Sequence, residues 1–258
     1  MRLTPFAFGL AVALAACAAP PPPKPVLTPA EADTAGAQAM ASGRYQEALD
    51  NFMVSANQGD ARGQMGVGMM YYTGLGTVKD YTEAAQWLEP AAKQGLPEAQ
   101  FMLAQIYDIG GTGILKDTKT ALGWYRKAAD QGHVLAEYQC GVHYNFGFGT
   151  AIDYAESLRW YTRAAAAGNL DAVTAIGVLY AQGRGVKADY GYALKQFNMA
   201  ANGGNAEAMK NIGYLYFFGN GVPQSDQRAY EWLRKAAANG SQEAARRLAV
   251  KDLPLLSQ

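Results

Sequence analysis

The sequence predicts an all-α fold, a right-handed α-solenoid of stacked helix-turn-helix repeats, over about residues 31–250 and without strands. Three observations lead to this prediction. Short apolar blocks recur at spacings of 36, 37, 36, 36 and 36 residues. A glycine pair follows each of the first five blocks, and an apolar stripe at helical spacing follows each pair. One such helix pair cannot bury its apolar face alone, so successive pairs must stack. Each block starts at a small residue: Gly63, Ala99, Ala136, Ala172, Ala208 and Ala244.

The N-terminus is predicted to be an export signal. Arg2 precedes an apolar run, residues 6–16, that is too short to span a bilayer but suits a signal-peptide core. The run ends in Leu14-Ala15-Ala16-Cys17, which resembles a bacterial lipobox. That resemblance implies removal of residues 1–16, a diacylglycerol on Cys17 and, since Ala18 follows, an outer membrane lipoprotein facing the periplasm. An ordinary signal peptide cut after an Ala-x-Ala site is the other interpretation.

Residues 17–30 are predicted to form a spacer between the lipidated Cys17 and the body. Proline fixes φ and lacks a backbone donor, so this stretch should adopt a stiff polyproline II conformation. About 12 residues at roughly 3.1 Å each would reach roughly 37 Å. Six of the eleven prolines lie here: Pro20, Pro21, Pro22, Pro23, Pro25 and Pro29.

Residues 31–62 are predicted to form an N-terminal unit of a different kind. The stretch Ala39-Met40-Ala41-Ser42-Gly43-Arg44-Tyr45-Gln46-Glu47-Ala48-Leu49 lacks the glycine pair and is similar to a tetratricopeptide repeat. We expect helices near 31–41 and 45–57, which would cap the N-terminal end of the solenoid.

Each repeat is predicted to contain a first helix that ends at its glycine pair. The residue five positions after each block start is always small, as close helix packing requires, and glycine permits the positive φ of the turn. The residue eight positions after the start is aromatic in the five complete repeats: Tyr71, Tyr107, Tyr144, Tyr180 and Tyr216. The first helices are expected near 63–73, 99–109, 136–146, 172–182 and 208–218.

A second helix should begin at an aspartate that accepts the free amides of its first turn. Asp80, Asp117, Asp153 and Asp189 are these caps, whereas Asp226 falls one residue late in the fifth unit. Glu83 and Glu156 would complete capping boxes. A glycine ends each second helix, and Asn169, Asn205 and Ser241 are placed to cap the helices that follow. The second helices are expected near 81–94, 118–131, 154–167, 190–203 and 227–239.

These motifs resemble the Sel-one-like repeat family. The matching residues are Gly177-x-x-Tyr180-x-x-Gly183-x-Gly185-x-x-x-Asp189-Tyr190 and Trp160-Tyr161-x-x-Ala164-Ala165-x-x-Gly168. Five such repeats occupy residues 63–243, and residues 244–258 form a C-terminal capping helix and tail, with Arg246, Arg247 and Lys251 on its outer face. The resemblance implies an α-solenoid adaptor or scaffold, in bacteria often of the cell envelope.

Composition and residue chemistry argue against nucleic-acid binding and catalysis. Twenty-two basic and twenty-two acidic side chains cancel, and no Lys/Arg cluster is present. The candidate catalytic groups have structural interpretations: His143 and Cys140 occupy apolar repeat columns, as half-buried and buried residues, and His133 should be solvated. The recurrent aspartates lie in separate units, so we expect no metal site and no cofactor.

The first helix of each pair lines the concave face in tetratricopeptide folds, and transferring that pattern predicts a groove for a protein or peptide partner. Many of its residues are aromatic or methionine, which is typical of interaction surfaces. Tyr214, Phe217 and Phe218 would form one apolar anchor near the C-terminal end. The predicted partner-binding residues are Met65, Met69, Tyr72, Phe101, Tyr138, Phe146, Tyr214, Phe217 and Phe218.

Three functions are compatible with these observations. The first is a non-enzymatic scaffold or adaptor of the bacterial cell envelope, with a protein or peptide partner and with membrane contact through its lipid anchor only. The second is a periplasmic immunity or inhibitor protein that neutralises a toxin or an enzyme. An enzyme acting on cell-wall or β-lactam substrates is a remote third.

Overall fold

The computed structural model describes residues 27–249 and contains thirteen α-helices joined by short turns. Apart from one isolated bridge between Gly111 and Ile114, no strand pairing occurs within residues 27–249, so the predicted all-α fold is confirmed. The helices are α1 Pro29–Ala41, α2 Tyr45–Asn57, α3 Ala61–Thr73, α4 Tyr81–Lys93, α5 Pro97–Ile109, α6 Thr118–Asp130, α7 Val134–Phe146, α8 Tyr154–Ala166, α9 Leu170–Gln182, α10 Tyr190–Asn202, α11 Ala206–Phe218, α12 Asp226–Ala238 and α13 Gln242–Ala249.

The helices form a solenoid in which each one packs against its neighbours in the chain. Four pairs of consecutive odd-numbered helices also touch: α1 with α3, α3 with α5, α7 with α9 and α9 with α11. Consecutive even-numbered helices do not contact each other to that extent in the part of the chain described. The odd-numbered helices therefore lie on the inner, concave side of the stack.

Small residues on the first helix of a pair receive large residues from the second helix. A Cβ atom on Gly177 would lie 2.5 Å from the ring of Phe197, and one on Gly68 would lie 2.6 Å from Leu88. Phe197 and Leu88 are almost completely buried. Absence of a side chain at these positions is thus what allows the two helices of a pair to approach closely and to share one core.

Each turn between first and second helices is closed by the same backbone hydrogen bond. The amide of the N-cap residue donates to the carbonyl of the repeat tyrosine, at 2.9 Å from Asp80 to Tyr71 and at 2.9 Å from Ser225 to Tyr216. Asp80, Asp117, Asp153 and Asp189 accept first-turn amides as predicted. In the fifth repeat Ser225 is the cap, because Asp226 already lies inside the helix.

Several predicted helix boundaries are wrong by one or two residues. The repeat first helices begin two residues early, as at Leu170, because a cap such as Asn169 accepts the Ala172 amide (2.8 Å) and so closes a turn before the small residue. α13 also begins two residues early, and the second helices end one residue early. Pro29 belongs to the first turn of α1 rather than to the spacer, since Thr28 and Glu31 form a capping box there.

The two predicted capping boxes in the repeats are only half formed. The amides of Glu83 and Glu156 donate to Asp80 and Asp153. The carboxylate of Glu156 does not return to the cap; it pairs instead with Arg159 at 2.7 Å. These caps therefore depend on the aspartate alone.

The predicted signal peptide, Cys17 and the spacer up to residue 26 lie outside the described residues, as do residues 250–258. Within residues 27–249, no helix has the length and hydropathy needed to cross a membrane.

Candidate partner-binding groove

Three cavities follow one another along the concave side. The N-terminal cavity, of about 720 Å³, lies between α1, α3 and the start of α5 and is lined by Met40, Phe52 and Leu96 among others. The middle cavity, of about 310 Å³, lies between α7 and α9. The C-terminal cavity, of about 220 Å³, lies between α9 and α11, and Tyr190 and Phe197 of α10 also line it. Together these cavities define the groove.

Six of the nine residues predicted for partner binding line these cavities. Two of the six are largely exposed: 56% of Phe146 and 63% of Phe218. Large apolar side chains that remain in water on a concave surface are characteristic of interaction sites. Met65 and Met69 line the N-terminal cavity, Tyr138 and Phe146 the middle one, and Tyr214 and Phe218 the C-terminal one.

Tyr72, Phe101 and Phe217 are not among the residues that line the three cavities. The ring of Tyr72 packs on Tyr81 with centroids 5.3 Å apart. Phe101 stacks on His133 at 4.5 Å. Phe217 lies beside Phe218, and the guanidinium of Arg247 from α13 covers its ring at 5.4 Å. Each of the three is half-buried by these neighbours.

The groove also contains residues that the sequence reasoning missed. α1 contributes Asp33, Ala37 and Met40, which are spaced i, i+4 and i+7 and so share one helix face. That spacing is present in the sequence, but α1 lies outside the five glycine-containing repeats to which the first-helix pattern applies. Asp171 and Glu207 line the middle cavity and stand in the first turns of α9 and α11, which is a recurrent acidic position.

An ion-pair network borders the C-terminal part of the groove. The ammonium of Lys210 lies 2.6 Å from carboxylate oxygens of both Glu207 and Glu243. Tyr214 donates its hydroxyl to Glu243 at 3.0 Å. Burial alone would lower the pKa of Lys210, but the two carboxylates outweigh it and raise that pKa. The network joins α11 to α13 and holds Tyr214 at the cavity wall.

The candidate catalytic groups are buried or take part in structural contacts. His143 is fully buried, not half-buried as expected; its Nδ1 lies 2.9 Å from the carbonyl oxygen of Phe148, and its Nε2 lies 3.5 Å from Oδ1 of Asp108. Burial of Cys140 raises the pKa of its thiol, which disfavours the nucleophilic thiolate. The solvated position expected for His133 is wrong, because its ring accepts the Ala136 amide as the cap of α7 and stacks on Phe101.

Burial lowers the pKa of His133 and so favours the neutral ring that accepts this amide. No group of three or more His, Cys, Asp or Glu side chains in residues 27–249 could hold a metal ion.

Comparison with known proteins gives the family. Five consecutive matches to the Sel1 repeat model cover residues 61–96, 97–133, 134–169, 170–205 and 206–241. The chain is similar to a Sel1 repeat protein from Oxalobacter formigenes, with 36% identity, a TM-score of 0.78 and coverage of 84% of this chain and 86% of that one. A comparison with curated protein sequences finds no match.

A second similar structure is c5321, a protective antigen present in uropathogenic Escherichia coli strains, which displays an SLR fold. It is 29% identical with a TM-score of 0.75, and the match covers 85% of this chain. The chain spans about half, 48%, of that protein's length. Repeat spacing, helix pairing and these matches agree, and the chain belongs to the Sel1 repeat family.

Proposed function

We propose that this protein is a non-enzymatic scaffold of the bacterial cell envelope that holds a protein or peptide partner in its concave groove. Sel1 repeat proteins act as protein-interaction scaffolds and are typically not catalysts. The row of three cavities along the odd-numbered helices carries the proposal, because two of them contain a largely exposed phenylalanine ring on the concave side. Cys140 and His143 are both buried, which disfavours a catalytic role for either side chain.

The groove is tested with a variant that removes its two exposed rings. Phe146→Ser with Phe218→Ser should abolish capture of the partner while leaving the thermal midpoint nearly unchanged, because exposed side chains contribute little to stability. Phe217 is left intact because Arg247 covers it. The measurement is affinity capture from membranes with the lipidated protein, read by mass spectrometry.

The matched control is Val78→Ser with Leu115→Ser. Both residues are more exposed than the groove rings, at 83% and 89%, and both lie in turns outside the cavities. This control should capture the same partner as the wild type. Equal capture by the groove variant would contradict the groove assignment, and a toxin as the captured partner would favour the immunity function over the scaffold.

The envelope location rests on the sequence alone, through Leu14-Ala15-Ala16-Cys17. Cys17→Ser should abolish labelling by radioactive palmitate and release the mature protein from membranes. Cys140→Ser, which removes the other cysteine, should leave the labelling unchanged. Persistent labelling of the Cys17→Ser protein would reject the lipobox interpretation.

A further inference from the structure

The middle cavity differs from its neighbours in charge. Asp171 and Glu207 line it, and no Lys, Arg or His is among its lining residues. The N-terminal cavity has Arg62 beside its two acidic residues, and the C-terminal cavity has no charged residue in its lining. Among the three cavities, the middle one alone therefore has acidic lining residues without a basic one.

Neither carboxylate of the middle cavity is neutralised by a cation of its own. Asp171 accepts a hydrogen bond from the amide of Asn205 at 2.7 Å and forms no ion pair with described residues. Glu207 touches Lys210, but that ammonium is shared with Glu243 at the same distance of 2.6 Å. Glu207 and Glu243 thus share one lysine, and Asp171 pairs with no cation among the described residues.

The positive ends of the α9 and α11 helix dipoles neutralise the charge of Asp171 and Glu207 only in part. A helix N-terminus carries roughly half a positive charge, so the two helices offset about one of the two negative charges that line the cavity. Caps Asn169 and Asn205 already accept amides of those turns. The negative field also reaches Tyr138, since burial foremost, then Asp171 and Glu207, raise the pKa of its phenol.

The rest of the cavity suits the stem of a long cationic side chain. Tyr138 and Phe146 line it, and the buried ring of Tyr161 packs against Tyr138 with centroids 5.7 Å apart. Aromatic faces attract ammonium and guanidinium groups, and apolar walls accept their methylene stems. The Oδ1 atom of Asn145, another lining residue, is buried without a hydrogen-bond partner. An acceptor left unpaired in this way is satisfied when a donor enters.

We propose that the middle cavity is a recognition pocket for a lysine or arginine side chain of the bound peptide, with Asp171 and Glu207 pairing its charge and Tyr138 and Phe146 packing on its stem. The inference rests on the proposed groove function and names the chemistry of its partner. The peptide should be apolar where it passes the N-terminal and C-terminal cavities and basic between them.

A phage library of random twelve-residue peptides, panned on the purified wild-type protein, supplies the probe. Selected peptides should be enriched in lysine or arginine at one position. They should bind the groove, so the variant Phe146→Ser with Phe218→Ser should bind them more weakly than the wild type. Fluorescence anisotropy with the strongest peptide then measures Kd. Asp171→Asn with Glu207→Gln should raise Kd about ten-fold, since an ionic partner is lost from a partly desolvated site.

The matched control removes the same two charges from α12, outside every groove cavity, through Asp226→Asn with Glu231→Gln. It should change Kd less than two-fold. A peptide whose basic residue is replaced by norleucine should bind the wild type about ten-fold more weakly than the original peptide does. The wild type and the variant Asp171→Asn with Glu207→Gln should bind this norleucine peptide equally well. Asp171→Asn alone, which retains the acceptor oxygen for Asn205, keeps the test valid if the double variant is unstable.

The two proposals fail in different ways. Selected peptides without a basic residue, or an unchanged Kd for the charge variant, would overturn the cation pocket while leaving the groove function intact. Failure to select any peptide that competes for the groove would overturn both.

Discussion

Cys140 shows how a repeat column predicts the role of a single residue. Its equivalents in the other units are Val67, Leu103, Ile176 and Ile212, which indicates a buried hydrophobic position. The side chain is indeed completely buried, so the predicted packing role is confirmed. His143 belongs to a similarly apolar column and is buried as well.

Cys140 should therefore resist thiol reagents in the folded protein. Burial raises the pKa of its thiol, so at neutral pH the reactive thiolate is depleted and the sulfur is also shielded from solvent. In a Cys17→Ser background, Ellman's reagent should react with no thiol in the native protein and with one thiol per chain in denaturant. Rapid native reaction at pH 8 would contradict the buried position.

His133 shows where the residue-scale reasoning failed. The sequence places it just after the glycine that ends a second helix, a position that suggests solvent. Asp60, Asn169 and Asn205 occupy the same place in other units and cap the helices that follow. This repeat position therefore indicates a helix cap. His133 fills the same role, because its Nδ1 accepts the Ala136 amide, although histidine is not a usual capping residue.

At the scale of the element, the glycines inside first helices are expected to be necessary for packing. In Gly177→Ala the added methyl would overlap the ring of Phe197, at a cost of about 1–3 kcal/mol. Alanine favours a helix over glycine by roughly 1 kcal/mol, so we expect a net destabilisation of up to about 2 kcal/mol. Urea denaturation, followed by circular dichroism, measures the change.

Gly123 provides the control for that prediction. It is an exposed glycine in the interior of α6, and a Cβ atom there would meet nothing within 4 Å. Gly123→Ala should therefore stabilise the protein by about 0.8–1 kcal/mol through helix propensity alone. Stabilisation by both substitutions would refute the close-packing role of Gly177.

The element boundaries were predicted less accurately than the elements themselves. Apolar periodicity correctly indicated two helices per repeat, because that periodicity reports the buried face. A helix start depends instead on which side chain accepts the first amides, and Asn169 does so three residues before Ala172. The half-formed capping box at Glu156 also depends on side-chain contacts that periodicity does not report, because the Glu156 carboxylate pairs with Arg159 instead of the cap.

For the whole molecule, stacking predicts that stability declines toward the ends. An interior pair such as α7 and α8 is packed between neighbours on both sides, whereas α13 packs on α12 and α11 with no described helix beyond it. In a linear array, each unit depends on its neighbours, so terminal units open more easily. Amide hydrogen exchange should be slowest in α7–α9 and fastest in α13. Uniform protection along the chain would indicate a single cooperative unit.

The sequence by itself determined the repeat length, the helix pairs and the family, because a recurring pattern of glycine, aspartate and apolar residues reports local geometry that each unit repeats. Six of the nine residues that the transferred first-helix pattern predicted also line the groove. The tertiary structure decided the contacts between repeats, which no single repeat position predicts. Arg247 covers Phe217, Lys210 pairs with both Glu207 and Glu243, and Asp171 and Glu207 line one cavity. These features arise between helices that are distant in the chain, so their geometry depends on how the repeats stack.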